Sequence, residues 1–555
     1  MQIDTHMAGC PPRRPRRVLS GLAVVTAAVV ALPIIAVVWI AFQGGDDTWR
    51  HVVSTVIPRA SLRTLQLLAL TGLACALFGT LTAWLATSYD FPMRRALSVM
   101  LVLPLAIPSY LAAYAFGEFM DFTGPLQSAY RAAFGFRTSQ DYWFPDIRSM
   151  GGAVLVLSSV LYPYVYLACR SMFLMQGRAA ADVARTLGAG PARVFWRIQV
   201  PMARPAIMIG LTLVTMETLN DIGAVQFLGI NTLTFSVYDT WLNRGSLSGA
   251  AQIATVMLAI VALLIWLEQA VRRSQRFSTT RTTGAVHDVV RTRLSGPTAG
   301  GATLFCLLPV LTGFAIPVIV LGGFAARRLD QYLDARLLDA LWHSLLVSSL
   351  TAGIAVLLGL VLAYSLRSER SPGATIAGRI ASLGYGVPGT VLAIGVLIPM
   401  ANFDNAVDAF LRSHLGISTG LLLSGSAAAI VYACTARFMT MAEGTLEAGF
   451  QKLSPHLDMA ARTLGRNRRQ TLATILLPNL GPALMTAALM VFIETMKELS
   501  ATMLLRPFNF NTLATLVYED ASRARIEDAS VAAMIIILAG LIPVLIVSRT
   551  LDRQR

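Results

Sequence analysis

Lysine is nearly absent from this chain. Among 555 residues only Lys452 and Lys497 occur, and neither follows a glycine. A phosphate-binding loop of the Gly-Lys-Ser/Thr kind therefore cannot form, and no ATPase of that type resides in this polypeptide. Charge of either sign is scarce, at 14% of residues, well below the ~25% of ordinary soluble domains. Cysteine is sparse and scattered: Cys10, Cys75, Cys169, Cys306 and Cys434 make no CxxC, and four of them lie in apolar runs. That spacing excludes a disulfide framework and a zinc site. His343 and His414 are isolated, and neither a metal-ligating cluster nor a nucleophile elbow is spelled out. No catalytic or metal-binding residue is expected.

What is present is apolar. Hydrophobic residues make up 55% of the chain and the mean hydropathy is +0.62. Twelve stretches are long enough to cross a hydrocarbon layer, which takes ~20 residues: 19–42, 62–87, 96–119, 152–175, 203–225, 249–268, 303–325, 339–366, 375–401, 419–440, 480–503 and 529–548. The first is too long for a signal-peptide core and reads as a retained helix. Met7-Ala8-Gly9-Cys10 resembles a lipoprotein cleavage site only by chance, because no apolar run precedes it. The net charge of +15 does not indicate nucleic acid, because the arginines gather in alternate loops. Arg13, Arg14, Arg94, Arg95, Arg178, Arg193, Arg272, Arg276, Arg367, Arg466, Arg469 and Arg553 all fall on one side of a twelve-span chain. By the positive-inside rule that side is the cytoplasm, with both termini inside. Most loop acids, such as Asp46, Asp121, Asp141, Asp404 and Asp408, fall on the other.

The chain also repeats itself. Residues 182–207, DVARTLGAGPARVFWRIQVPMARPAI, return in altered form at residues 459–484, MAARTLGRNRRQTLATILLPNLGPAL. Gly188 and Gly465 are 277 apart, as are Pro201 and Pro478. Upstream the offset is 280, pairing Gly79 with Gly359 and Pro108 with Pro388. Downstream it returns to 280 for Asn231-Thr232 with Asn511-Thr512. Each copy of the segment reads as a short helix, a glycine bend and a second helix ending at proline, too charged to span a bilayer. The divisions expected are a tail and first helix (1–59), a first transmembrane domain (60–268), a polar cytoplasmic linker (269–302), a seventh helix with its outer loop (303–338), a second transmembrane domain (339–548) and a short cytoplasmic tail (549–555). The fold class is thus an all-α polytopic membrane protein of two parallel six-helix repeats.

The doubled segment resembles the cytoplasmic EAA loop of permease subunits in binding-protein-dependent ABC importers, whose pattern is Glu-Ala-Ala, a spacer, Gly, then Ile-x-Leu-Pro. Ala184, Gly188, Ile198 and Pro201 match in the first copy; Ala460, Ala461, Gly465, Ile475, Leu477 and Pro478 match in the second. The family's Glu is Asp182 in one copy and Met459 in the other, with Asp458 one place early, and Val183 replaces the first Ala. The resemblance implies a type I importer transmembrane fold. It implies that Asp182, Val183, Ala184, Gly188, Ala189, Met459, Ala460, Ala461, Gly465 and Arg466 contact an ATPase. It implies as partners two copies of that ATPase, which hold ATP and Mg, and a periplasmic or lipid-anchored solute-binding protein, besides membrane lipid. This chain itself would bind no cofactor and no nucleic acid. It would lie in the bacterial inner membrane as a transport subunit, not an enzyme.

Polar residues inside spans are the remaining signal. Glu217 and Asp221 lie four apart in span five; Glu494 and Glu498 lie at the matching places (217 + 277 and 221 + 277) in span eleven. Spacing of four puts each pair on one helix face. Carboxylates deep in lipid are costly and should face protein or water. They line the outer half of a pathway, or they satisfy neighbouring backbone groups and Lys497 at the bundle interface. Prolines within spans mark either kinks or static packing, and the repeated Pro108 and Pro388 are the better hinge candidates. Residues 494–514, ETMKELSATMLLRPFNFNTLA, and Met216-Glu217-Thr218-Leu219 with Asp221-Ile222-Gly223 are similar to two-domain ferric-iron-type permeases. Related fused permeases carry thiamine, polyamines or phosphonates. A secondary transporter also uses twelve spans in two repeats, but would need no ATPase and would place its acids nearer the midplane.

Overall fold

The computed structural model describes residues 17–175, 183–184, 186–273, 291–332, 334–368, 372–381, 383–454 and 456–553. In chain order the main helices are α1 (Arg17–Phe42), α2 (Ile57–Ser88), α3 (Arg94–Met100), α4 (Ser109–Met120), α5 (Pro125–Phe134), α6 (Met150–Met175), α7 (Val200–Asn220), α8 (Gly223–Phe227), α9 (Leu233–Tyr238), α10 (Leu247–Arg273), α11 (Gly296–Val310) and α12 (Ile316–Tyr332). The second half continues with α13 (Ala335–Ser368), α14 (Pro372–Ala381), α15 (Gly389–Leu415), α16 (Ala428–Lys452), α17 (His456–Thr463), α18 (Gly481–Lys497), α19 (Ser500–Leu505), α20 (Leu513–Ser522) and α21 (Ile526–Arg553). Tyr89–Asp90 and Thr292–Arg293 form a two-residue parallel pairing. Of the expected linker 269–302, residues 274–290 lie outside the described residues.

Among the described residues nine helices are long and apolar enough to cross a membrane, and up to eleven if two bent pairs each count as one span. Four of the twelve expected spans are corrected. The span 375–401 is two helices, Pro372–Ala381 and Gly389–Leu415, and the crossing helix is the second, which Pro388 N-caps. The span 96–119 is two helical pieces, Arg94–Ala106 and Ser109–Phe134, bent by 98°. Pro108 stands at the break and begins α4 as its N-cap residue, so it does not kink a continuous helix. The span 480–503 is likewise broken: Arg469–Asn479 and Gly481–Lys497 meet at 72°, and residues 500–505 belong to the next short helix. The span 419–440 starts late, at Ala428. Two carboxylates on α15, one helical turn apart, hold the preceding residues in turns. Asp408 accepts the Thr419 and Gly420 N–H groups at 2.7 and 3.1 Å, and Asp404 accepts those of Leu423 and Ser424 at 3.0 and 2.8 Å. The apolar run Leu421–Leu423 is therefore turn, against its hydropathy. α16 itself carries Arg437 and Glu443, both buried, which lowers its apolar character.

Two compact units divide the described residues. One takes the described residues within 1–32, 351–385 and 435–491; the other those within 33–350, 386–434 and 492–555. In the larger unit α2, α6 and α7 pack together, and α12, α20 and α21 pack together. Its core includes Tyr162 and Tyr166 of α6, whose hydroxyls donate to the Leu101 and Ser98 carbonyls at 2.9 and 3.0 Å. The smaller unit packs the ends of α13 and α16 with α14 and α17.

The repeat extends to contact geometry. A Cβ on Gly79 would lie 2.7 Å from Val165 Cβ and 2.9 Å from the Tyr166 nitrogen. A Cβ on Gly359, 280 residues on, would lie 3.0 Å from the Glu443 nitrogen and 3.2 Å from Ala442, residues 277 beyond Tyr166 and Val165. Both glycines thus let two transmembrane helices approach backbone to backbone, as small residues do in lipid. Thr64 accepts the Leu233 N–H at 2.9 Å, and Ser344 accepts the Leu513 N–H at 2.7 Å, both pairs offset by 280. Thr232 and Thr512 N-cap the helices α9 and α20 with their side chains.

Candidate functional site

The two doubled segments end their first helices in the same way. Gly188 and Gly465 have φ of +82° and +78°. The Ala189 N–H donates to the Ala184 carbonyl at 2.9 Å, and Arg466 to Ala461 at 3.0 Å. This is the Schellman arrangement, with glycine at the left-handed position, and it fixes the angle at which the chain leaves the helix. The bends leave large apolar side chains in the open: Leu187 and Leu464 are each 82% exposed, Val183 59% and Met459 52%. Asp182 lies outside the described residues. In the second copy Asp458 is engaged within the chain. Arg367 donates to it through Nη2 at 2.9 Å and Nε at 3.3 Å, while Nη1 donates to the Phe450 carbonyl at 2.6 Å.

The second helix of each segment does not end at proline, as the sequence suggested. In the first copy Pro191–Asn220 is one 30-residue helical run. Pro201 and Pro205 are tolerated because a π turn, Phe195–Gln199, immediately precedes α7 and shifts the hydrogen-bond ladder where Pro201 offers no N–H. The second copy has the matching π turn, Leu472–Leu476, ahead of Pro478. There the run bends just before Gly481, the position held by Arg204 in the first copy (204 + 277 = 481).

At their other ends α7 and α18 stop at a carboxylate. Asp221 accepts the Ala224 N–H at 2.8 Å, and Glu498 accepts the Ala501 N–H at 2.7 Å. Each acid caps the short helix that follows, α8 or α19, and each is buried. Glu217 and Glu494 are half-buried, and Glu494 pairs with Lys497 at 3.2 Å. Lys497 also donates to the Leu105 carbonyl at 3.3 Å. Asn220 holds the two halves together here: its Oδ1 accepts the Gly389 N–H at 2.7 Å and its carbonyl accepts the Ser500 hydroxyl at 2.8 Å. Gly389 follows Pro388, which N-caps α15 as Pro108 N-caps α4. The repeated acids and the repeated prolines therefore converge on one place.

A cleft of about 960 Å³ opens beside this convergence, at the end of α7 remote from Gly188. Its walls include Glu118, Asp121, Asp146 and Arg148; Tyr114, Gly223, Gln226 and Tyr518 also line it. The Tyr518 hydroxyl donates to Gln226 Oε1 at 2.8 Å, joining the two halves again. Sequence reasoning gave no site role to Tyr114, Arg367 or the Thr64/Ser344 pair, and had Tyr518 only as the counterpart of Tyr238 at the offset of 280, a signal that Thr64 and Ser344 share. Among the described residues no group of three or more His, Cys, Asp or Glu is placed to hold a metal ion.

A membrane-spanning helical bundle that presents two matching hairpins on one unit each, and a paired helix break beside a polar cleft, is built as a permease. The chain belongs to the family described as binding-protein-dependent transport system inner membrane component, which it matches twice, over residues 75–277 and 355–554. It is 25% identical over 544 residues to the Fe(3+)-transport system permease protein FbpB 2 of Haemophilus influenzae, an alignment covering 97% of this chain and 99% of that one. It is 31% identical over 220 residues to the molybdenum transport system permease protein ModB of Escherichia coli, covering 38% of this chain and 92% of that one. The chain is thus a fused, two-domain permease of an ABC importer, the subunit that forms the pathway across the inner membrane.

Proposed function

We propose that this permease imports ferric iron. The supporting observation is the end-to-end alignment, over 97% of the chain, with a permease named for Fe(3+) transport. Charge at the helix breaks agrees with it: Glu217 and Asp221 stand at one break and Glu494 and Glu498 at the other, where Lys497 pairs with Glu494. Carboxylates of that density attract a cation and repel a phosphonate. They do not by themselves separate iron from thiamine or a polyamine, and the alignment is what favours iron.

In this reading two copies of an ATPase bind on the cytoplasmic face, one at each hairpin, and hold ATP and Mg themselves. A periplasmic or lipid-anchored binding protein delivers its solute at the cleft. Both termini lie on the arginine-rich cytoplasmic side. Leu187 with Val183, and Leu464 with Met459, supply the apolar contact; Gly188 and Gly465 set its angle. ATP binding draws the ATPases together and carries both hairpins with them. In the first half the unbroken run Pro191–Asn220, ~45 Å long at 1.5 Å per residue, transmits that displacement to the break at Asp221. There the prolines at the heads of α4 and α15 let those helices pivot, and the pathway opens outward. Hydrolysis restores the inward-facing state, so the cycle is a two-state bundle biased by contacts at both faces.

The test is uptake by proteoliposomes holding the permease with its partner ATPase and binding protein. ATP-dependent accumulation of radioactive iron is expected. Accumulation of a phosphonate, thiamine or a polyamine in its place, or uptake without ATP, would overturn the proposal.

A further inference from the structure

Beneath the cleft lies a group that the capping of helices does not use. Tyr110, on the first turn of α4, is 4% exposed, and its hydroxyl has no hydrogen-bond partner. An unsatisfied buried hydroxyl is costly and calls for an occupant. Glu498 and Asp221, one from each half of the chain, are brought here by their neighbours: Leu499 Cδ2 would lie 2.9 Å from a Cβ on Gly223, two residues after Asp221. Tyr110 packs against Gly223 of the cleft wall, where an added Cβ would sit 2.7 Å from Tyr110 Cβ. Its ring meets that of Tyr114, also on the wall, edge to face at 6.0 Å between centroids. Cleft and buried acids are thus joined through one phenol.

We propose that Tyr110, Asp221 and Glu498 form a transient site for a hard, highly charged metal cation at the foot of the cleft. This rests on the ferric reading above and gives that substrate a place in the chain. The donors are all oxygen, from one phenol and two carboxylates. Such a set suits hard cations. As the metal–oxygen bond forms, the phenol proton leaves to cleft water, because a metal ligand must be deprotonated. The site is incomplete as a cage, having three protein donors, which fits a cargo that must leave again.

The experiment titrates the purified permease–ATPase complex with ferric nitrilotriacetate and follows the visible phenolate-to-iron charge-transfer band, which needs no turnover. The wild type gains the band, and Tyr110→Phe, which keeps the ring packing, loses it. Asp221→Asn and Glu498→Gln keep an acceptor for the capped N–H but lose the charge, and raise the titration midpoint at least about tenfold. A band that survives Tyr110→Phe, or a midpoint indifferent to both acid variants, would overturn the site. Iron uptake by the same preparations separates the two ideas. Wild-type uptake that Tyr110→Phe leaves unchanged sinks the site and spares the ferric reading, whereas a wild type that imports no iron sinks the reading itself.

Discussion

At the scale of single residues, two kinds of glycine do different work. Gly188 and Gly465 are needed for a left-handed backbone: an added Cβ meets nothing within 4 Å at either. The penalty of Gly188→Ala is therefore conformational, ~1–2 kcal/mol, and Asn, which tolerates this region, should be spared most of it. The expected outcome is transport-coupled ATP hydrolysis reduced roughly fivefold or more by Gly188→Ala and less by Gly188→Asn; equal loss in both would point to a contact instead. Arg367 and Asp458 are a second residue-scale case. Their pairing ties α17 to the end of α13, with both side chains largely shielded. A double-mutant cycle with Arg367→Ala and Asp458→Ala, read by thermal unfolding in detergent, should give a coupling of ~1–3 kcal/mol. Additive effects would show the pair to be ornamental. The sequence displayed Asp458 only as a carboxylate one place out of pattern; its partner, 91 residues away, could not be read from spacing.

At the scale of elements, the two copies of the long helix after the hairpin differ. The first runs unbroken from Pro191 to Asn220, and the second bends by 72° ahead of Gly481. A helix interrupted in mid-course loses backbone hydrogen bonds at the break and opens locally more often. Hydrogen–deuterium exchange should accordingly be faster at residues 477–484 than at 200–207, and equal protection would contradict the asymmetry. Most of the helices were legible because apolar runs of the right length say little else. The breaks were not. Hydropathy runs smoothly through Asp221 into Ile222-Gly223-Ala224-Val225, yet the helix stops because the carboxylate turns to cap the next one. It also runs through Leu421–Leu423, where Asp404 and Asp408, distant in sequence, capture the backbone N–H groups. In both places a side chain competes with the helix for the backbone, and pattern reading has no term for that competition. The hairpins were legible for the opposite reason: the bend needs glycine, and glycine is visible.

At the scale of the molecule, duplication is the organising fact. It shows in the family match to residues 75–277 and 355–554, and again in paired close approaches, caps and π turns that no single residue would reveal. The same duplication predicts that an external motor grips the chain at two points. Cysteines placed singly at Leu187 and at Leu464, in the complex with its ATPase, test that claim most directly through thiol cross-linking to the ATPase subunit. The account predicts a permease–ATPase adduct from both positions, with yields that change when ATP is bound. Adducts from neither position, in a complex that still imports its solute, would contradict it.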